Sequence, residues 1–167
     1  MDKEELYALL DNRKIEYIRK DHKAVYNMEE VITLNLPYPE REAKNLFLKD
    51  DRKGDLRSYY LLTVYGHKRV NLKQFFKTHG LRRLSFCNEH ELEELLGLTP
   101  GSVTPFGLLN DHNSKVIFYL DQEFLEGNGY IAVHPMINTS SVTLKTDDLI
   151  SLLEETHKVI LVDVESE

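Results

Sequence analysis

Ala43-Lys44-Asn45-Leu46-Phe47-Leu48, then Asp50-Asp51-Arg52-Lys53-Gly54-Asp55, then Tyr59-Tyr60-Leu61-Leu62-Thr63-Val64-Tyr65 is the stretch on which the fold turns. Two apolar, aromatic-containing runs flank a polar turn with a glycine, the pattern of a β-hairpin. The second run is apolar or aromatic almost throughout, as expected of a strand covered on both faces. Towards the N-terminus, Asp2 with Glu5 and Leu6, Leu9 and Leu10 at helical spacing predict an amphipathic helix over Asp2 to Lys14. Glu16 to Arg19 reads as a short strand. Asn27-Met28-Glu29-Glu30 starts a second helix through Val31 and Leu34, which ends before Leu36-Pro37-Tyr38-Pro39. Towards the C-terminus, Asn71 caps a helix through Phe75 to Lys77 that Gly80 terminates, and Leu84-Ser85-Phe86 is a brief strand. Asn88 with Glu91 opens a helix closed by Gly97. Lys115 to Leu120, Tyr130 to His134 and Ser141 to Leu144 read as strands, Thr146 as a helix cap, and Lys158 to Val162 as a last strand. Strict β-α-β-α alternation is missing, so the expected class is α+β, a single domain with a mixed, largely antiparallel β-sheet surrounded by helices.

The chain has 167 residues, enough for one domain over 1–167 that buries about two-thirds of its unfolded surface. With 41% hydrophobic and 29% charged residues it reads as globular rather than disordered. No apolar run is long enough to span a bilayer, and Met1-Asp2-Lys3-Glu4-Glu5 lacks the layout of a signal peptide. One cysteine, Cys87, excludes an internal disulfide and points to a reducing cytoplasm. A net charge of −7 argues against nucleic-acid binding through the whole surface. Gly66 to Asn88, however, holds no acid while carrying Lys68, Arg69, Lys73, Lys77, Arg82 and Arg83, either a phosphate-facing patch or a solvated helix face.

Several chemistries fail on spacing. The histidines are scattered and have no cysteine partner for a metal, and a Walker loop, a dinucleotide glycine turn and a nucleophile elbow are all missing. Cys87, at the end of a short apolar run, reads as a small packed residue. Lys44 sits where a helix or loop enters the strand Leu46 to Leu48 and, taken alone, is either a solvated charge or an ammonium pointing into a pocket. His134, ending a strand before Pro135, is either structural or faces a cleft. Leu98 to Asp111 combines Pro100 and Pro105, which fix φ, with Gly101 and Gly107, which tolerate φ > 0 and close approach to the backbone. Such a stiff loop suits recognition of a small polar group.

Lys44-Asn45-Leu46-Phe47-Leu48, the loop Gly101-Ser102-Val103-Thr104-Pro105-Phe106-Gly107, and Val133-His134-Pro135 with Asn138-Thr139-Ser140, in that order, resemble the YbaK/ProX superfamily. These are free-standing relatives of the editing domain of bacterial prolyl-tRNA synthetases, and the likeness, over essentially the whole chain, is to the ProX (PrdX-like) alanyl-tRNA(Pro) deacylase branch. The resemblance implies a cytoplasmic trans-editing enzyme, without cofactor or metal, that hydrolyses the ester of mischarged tRNA(Pro). It implies catalytic roles for Lys44, His134 and Gly101, and substrate binding by Asn45, Ser102, Val103, Thr104 and Pro105. The implied partner is tRNA(Pro) carrying the wrong amino acid, with prolyl-tRNA synthetase or an elongation factor as a further candidate and no membrane. Two rival readings are a cysteinyl-tRNA(Pro) deacylase, as in the YbaK branch, and a non-catalytic module that binds aminoacyl-tRNA or an amino acid.

Overall fold

The computed structural model describes residues 1–24 and 26–167. Its elements run α1 (Lys3–Asn12), β1 (Tyr17–Asp21), α2 (Met28–Ile32), β2 (Ala43–Lys49), β3 (Tyr59–Tyr65), α3 (Leu72–Thr78) and β4 (Ser85–Phe86). There follow α4 (Glu89–Leu96), β5 (Val116–Asp121), β6 (Tyr130–Val133), β7 (Ser140–Lys145), α5 (Thr146–Leu153) and β8 (Val159–Val162). The central hairpin forms as read, β2 antiparallel to β3 with Lys44 opposite Val64 and Asn45 opposite Thr63. β3 is buried along its interior because both faces are covered. Leu61 packs with Phe47, Phe118 and Leu120 on one side, while Tyr60, Leu62 and Val64 pack with Leu48 and Tyr119 on the other. Each fully buried side chain of this kind stabilises by roughly 1.5–3 kcal/mol, so this strand anchors the molecule.

The α+β class and the mixture of parallel and antiparallel pairing are as expected, but the strands divide into two sheets. The larger has the order β4-β2-β3-β5-β8, with β3, β5 and β8 parallel; the smaller is antiparallel, β1-β7-β6. At the cleft a parallel bridge from Glu42 to Ala132 joins them. Asp2, Asn27 and Asn71 cap their helices, and Asn88 and Glu91 form a reciprocal capping box closed by Gly97 in the left-handed region.

Three local readings change. Thr146 is the first residue of α5 rather than its cap, since its hydroxyl donates to the Phe124 carbonyl at 2.9 Å instead of serving its own helix. Lys44 lies inside β2, not in a connection leading into it. The stiff loop closes into a 3-10 turn over Pro105–Asn110. There Gly107 is required for space and not for its φ, because a Cβ would stand 2.7 Å from Leu98 Cδ1.

Candidate functional site

A cleft of about 420 Å³ opens where the two sheets meet. Glu42, just before β2, and Ala43, Lys44 and Asn45 at its start form one wall; the stiff loop supplies Gly101 and Val103; His134 directly follows β6; and Tyr26, Asn27 and Val31 close it from the N-terminal side. Five of the eight residues singled out in the sequence thus converge from three distant segments. The other three do not line it. Ser102, Thr104 and Pro105 are buried beneath the loop, where Ser102 N–H donates to the Thr99 carbonyl and Thr104 Oγ1 accepts from Phe106 N–H. Their work is to hold the loop's shape.

Lys44 is half-buried, and its Nζ donates to the carbonyl of Lys68. Burial, and then the charge of Arg69, hold its ammonium below the usual lysine range. Asn45 accepts from Thr63 Oγ1 at 2.6 Å through its side-chain oxygen, leaving its amide N–H donors without a protein partner among the described residues. Gly101 takes φ +86°, and a Cβ there would meet the Tyr26 ring at 3.1 Å and Asn138 Nδ2 at 3.3 Å, so only glycine keeps the cleft's rim at this spacing. His134 Nδ1 lies 3.0 Å from the Ser140 carbonyl, which assigns the proton to Nδ1 and leaves Nε2 as an acceptor. Burial lowers its pKa, the Ser140 carbonyl opposes this, and His22, with ring centroids 6.4 Å apart, lowers it further. The imidazole is therefore neutral at physiological pH.

The site's other charged group, Glu42, escapes sequence reading. It is 5% exposed, and its Oε1 has no hydrogen-bond partner among the described residues. Burial drives its carboxyl up to about 7, with the Ser141 hydroxyl pulling the other way. In Arg41-Glu42-Ala43-Lys44 such a residue reads as surface charge. Its neighbour Arg41 is equally buried but well partnered, donating from Nε and Nη2 to the carbonyls of Tyr130 at 2.7 Å, Phe124 at 2.7 Å, Glu126 at 3.1 Å and Glu123 at 3.3 Å.

The basic stretch is only partly a free surface. Lys68 is bound to buried Asp121 at 2.8 Å, and Arg82 to Asp51 at 2.6 Å. Arg69 is close enough to Lys44 for its charge to bear on that ammonium. Cys87 is partly buried against the core, and burial pushes its thiol up to about 12, the behaviour of a packing residue. Among the described residues no cluster of three or more His, Cys, Asp or Glu could hold a metal ion, and no helix is long and apolar enough to cross a membrane.

The sequence model of the aminoacyl-tRNA editing domain matches residues 22–152, a span that contains every cleft residue. The chain belongs to the aminoacyl-tRNA editing domain family. It is 37% identical to the prolyl-tRNA editing protein ProX of Acetoanaerobium sticklandii over 88% of this chain and 87% of that one. It is 33% identical to prolyl-tRNA synthetase associated domain-containing protein 1 of Xenopus laevis over 96% and 95% of the two chains. A crystal structure of a candidate trans-editing enzyme for prolyl tRNA synthetase shares the fold, with a TM-score of 0.70 at 19% identity over 99% of this chain and 97% of that one. In this editing domain, then, the cleft is built from the segments that carry the family likeness, plus Tyr26, Asn27, Val31, Glu42 and Ala43.

Proposed function

We propose that this editing domain is a trans-acting deacylase, working in the cytoplasm as one unit over residues 1–167, that hydrolyses alanyl-tRNA(Pro). The substrate class comes from the relatives, one of which is by name a prolyl-tRNA editing protein. The observation that carries the reading is the convergence of Lys44, Asn45, Gly101, Val103 and His134 on one cleft. An aminoacyl ester is already activated, so the protein has mainly to position it and a water and to stabilise the oxyanion. Water adds to the ester carbonyl, the bond from that carbon to the ribose oxygen breaks, and the ribose hydroxyl leaves with a proton. Lys44 exchanges its backbone contact for the terminal phosphate or the developing oxyanion. Neutral His134 offers Nε2 as acceptor to the water, assisted by the neighbouring ribose hydroxyl. Val31 and Val103 narrow the space for the side chain, favouring alanine over the larger proline ring. Exclusion by size is the effective direction, because one extra methylene yields only ~1–3 kcal/mol of preference.

Deacylation of alanyl-, cysteinyl- and prolyl-tRNA(Pro), each with native protein and Lys44→Ala, tests this. Alanyl-tRNA(Pro) should be cleaved, prolyl-tRNA(Pro) spared, and Lys44→Ala slowed by about 10²–10³-fold, the usual cost of a lost oxyanion donor. Preference for the cysteinyl ester would reassign the substrate. No ester cleaved above its spontaneous rate would make the protein a binding module, and full activity in Lys44→Ala would remove the lysine from the mechanism.

A further inference from the structure

Glu42, extended and immediately before β2, and Lys44 within it are two residues apart, and both line the cleft. Opposite charges in that relation ordinarily pair. Here they do not, since Lys44 turns to the Lys68 carbonyl and Glu42 Oε1 is left buried without a partner among the described residues. A buried polar atom in that condition is rare, because nothing in the folded protein replaces the water it gave up. The groups around it are accounted for. Ser141 presents its hydroxyl to the carboxyl and is itself 2.9 Å from His22 Nε2. His134 across the cleft is bonded to Ser140, and Arg41 is turned to four backbone carbonyls, those of Glu123, Phe124, Glu126 and Tyr130. Among the described residues no cation forms an ion pair with Glu42. The missing partner is a donor that arrives from the cleft.

Resting on the deacylase reading, we propose that Glu42 is the receptor for the α-ammonium group of the aminoacyl ester. The cleft then grips a bipolar ligand at both ends, with Lys44 on the phosphate or carbonyl side and Glu42 on the amine. Burial works against the charged form of each protein group while the cleft is empty, and the matching end of the substrate favours it. The arrangement also gives chemical selectivity that side-chain size does not supply. An ester with a free amine is accepted, while one whose α-substituent is neutral leaves the carboxyl buried and unpaired.

The discriminating substrate pair is alanyl-tRNA(Pro) and lactyl-tRNA(Pro), in which a hydroxyl replaces the amine at nearly equal size. Each rate is taken relative to the spontaneous hydrolysis of the same ester. Glu42→Gln should lose about 10- to 100-fold in kcat/KM on the alanyl ester, mostly through KM, and change within about threefold on the lactyl ester, the range expected for losing one charge-assisted hydrogen bond. Equal losses on both esters, or no loss on either, would overturn the assignment. A second readout needs no turnover, namely the pH titration of the Glu42 side-chain carboxyl followed by NMR with L-alaninamide or with lactamide. Alaninamide alone should move the midpoint to lower pH, and an unmoved midpoint would refute the receptor. If the midpoint moves while neither ester is hydrolysed, the deacylase reading fails and the ammonium site stands.

Discussion

Four carboxylates lie inside the described part of this protein, and Asp50, which accepts from the Arg52 amide and guanidinium, Asp111 and Asp121 are treated quite differently from Glu42. Asp111 accepts from the amides of Lys115 and Val116 at 3.1 and 2.8 Å and lies 2.9 Å from His157 Nε2. Burial pushes its carboxyl up, but those partners outweigh burial and hold it below the ordinary carboxylate range. Asp121 accepts from the amides of Tyr65 and Glu123 and pairs with Lys68, all within 3.1 Å. Both clamp the ends of β5, tying it to neighbouring loops. Glu42 is as well buried, yet one of its two oxygens, Oε1, has no partner among the described residues. The difference separates a carboxylate that builds the fold from one that the fold sustains at a cost, and a cost borne at the mouth of a cleft marks a binding position.

The comparison can be broken from either side. The largest effect is expected for Asp111→Asn, which leaves His157 and two amides facing a group that cannot serve all three. Urea unfolding should show a loss of about 3–5 kcal/mol. Unchanged stability would show that saturation of a carboxylate contributes nothing here. Glu42→Gln should move the other way, increasingly as pH rises from about 4.5 to 7. The folded protein holds a proton on Glu42 up to about 7, whereas the unfolded chain releases it near 4.5. Stability is therefore lost as pH rises through that window. Glutamine has no such slope, so the variant should be more stable at pH 8 by up to about 3 kcal/mol and nearly equal to the native protein at pH 4.5. A stabilisation that did not vary with pH would assign the effect to packing. Smaller still, Lys68→Met should cost about 1–3 kcal/mol by stranding Asp121, measurable as a lower denaturation midpoint. It therefore confuses folding with tRNA affinity, and Arg69 is the better position at which to ask whether the basic stretch meets phosphate.

Local rules sufficed where the interactions are local. The hairpin, the reciprocal cap of Asn88 and Glu91, and Gly97 as helix stop are all decided within a few residues. Thr146 was beyond them, because the carbonyl that recruits its hydroxyl is 22 positions away. The likeness to a known family brought Lys44, Gly101 and His134 together before their geometry was known. It also gathered Ser102, Thr104 and Pro105, whose inward placement depends on how the loop folds under itself. Glu42 was illegible for a different reason. Its burial is created by Ala132 and Ser141, about ninety residues downstream, and no pattern around Arg41 to Lys44 announces it.

The bridge between Glu42 and Ala132 has a mechanical consequence. Lys44 and Asn45 ride on the larger sheet and His134 leaves the smaller one, so a molecule held between them works as a rivet across the joint. Occupancy then stiffens the protein as a whole, and amide hydrogens along β6 should exchange with solvent more slowly once the rivet is in place.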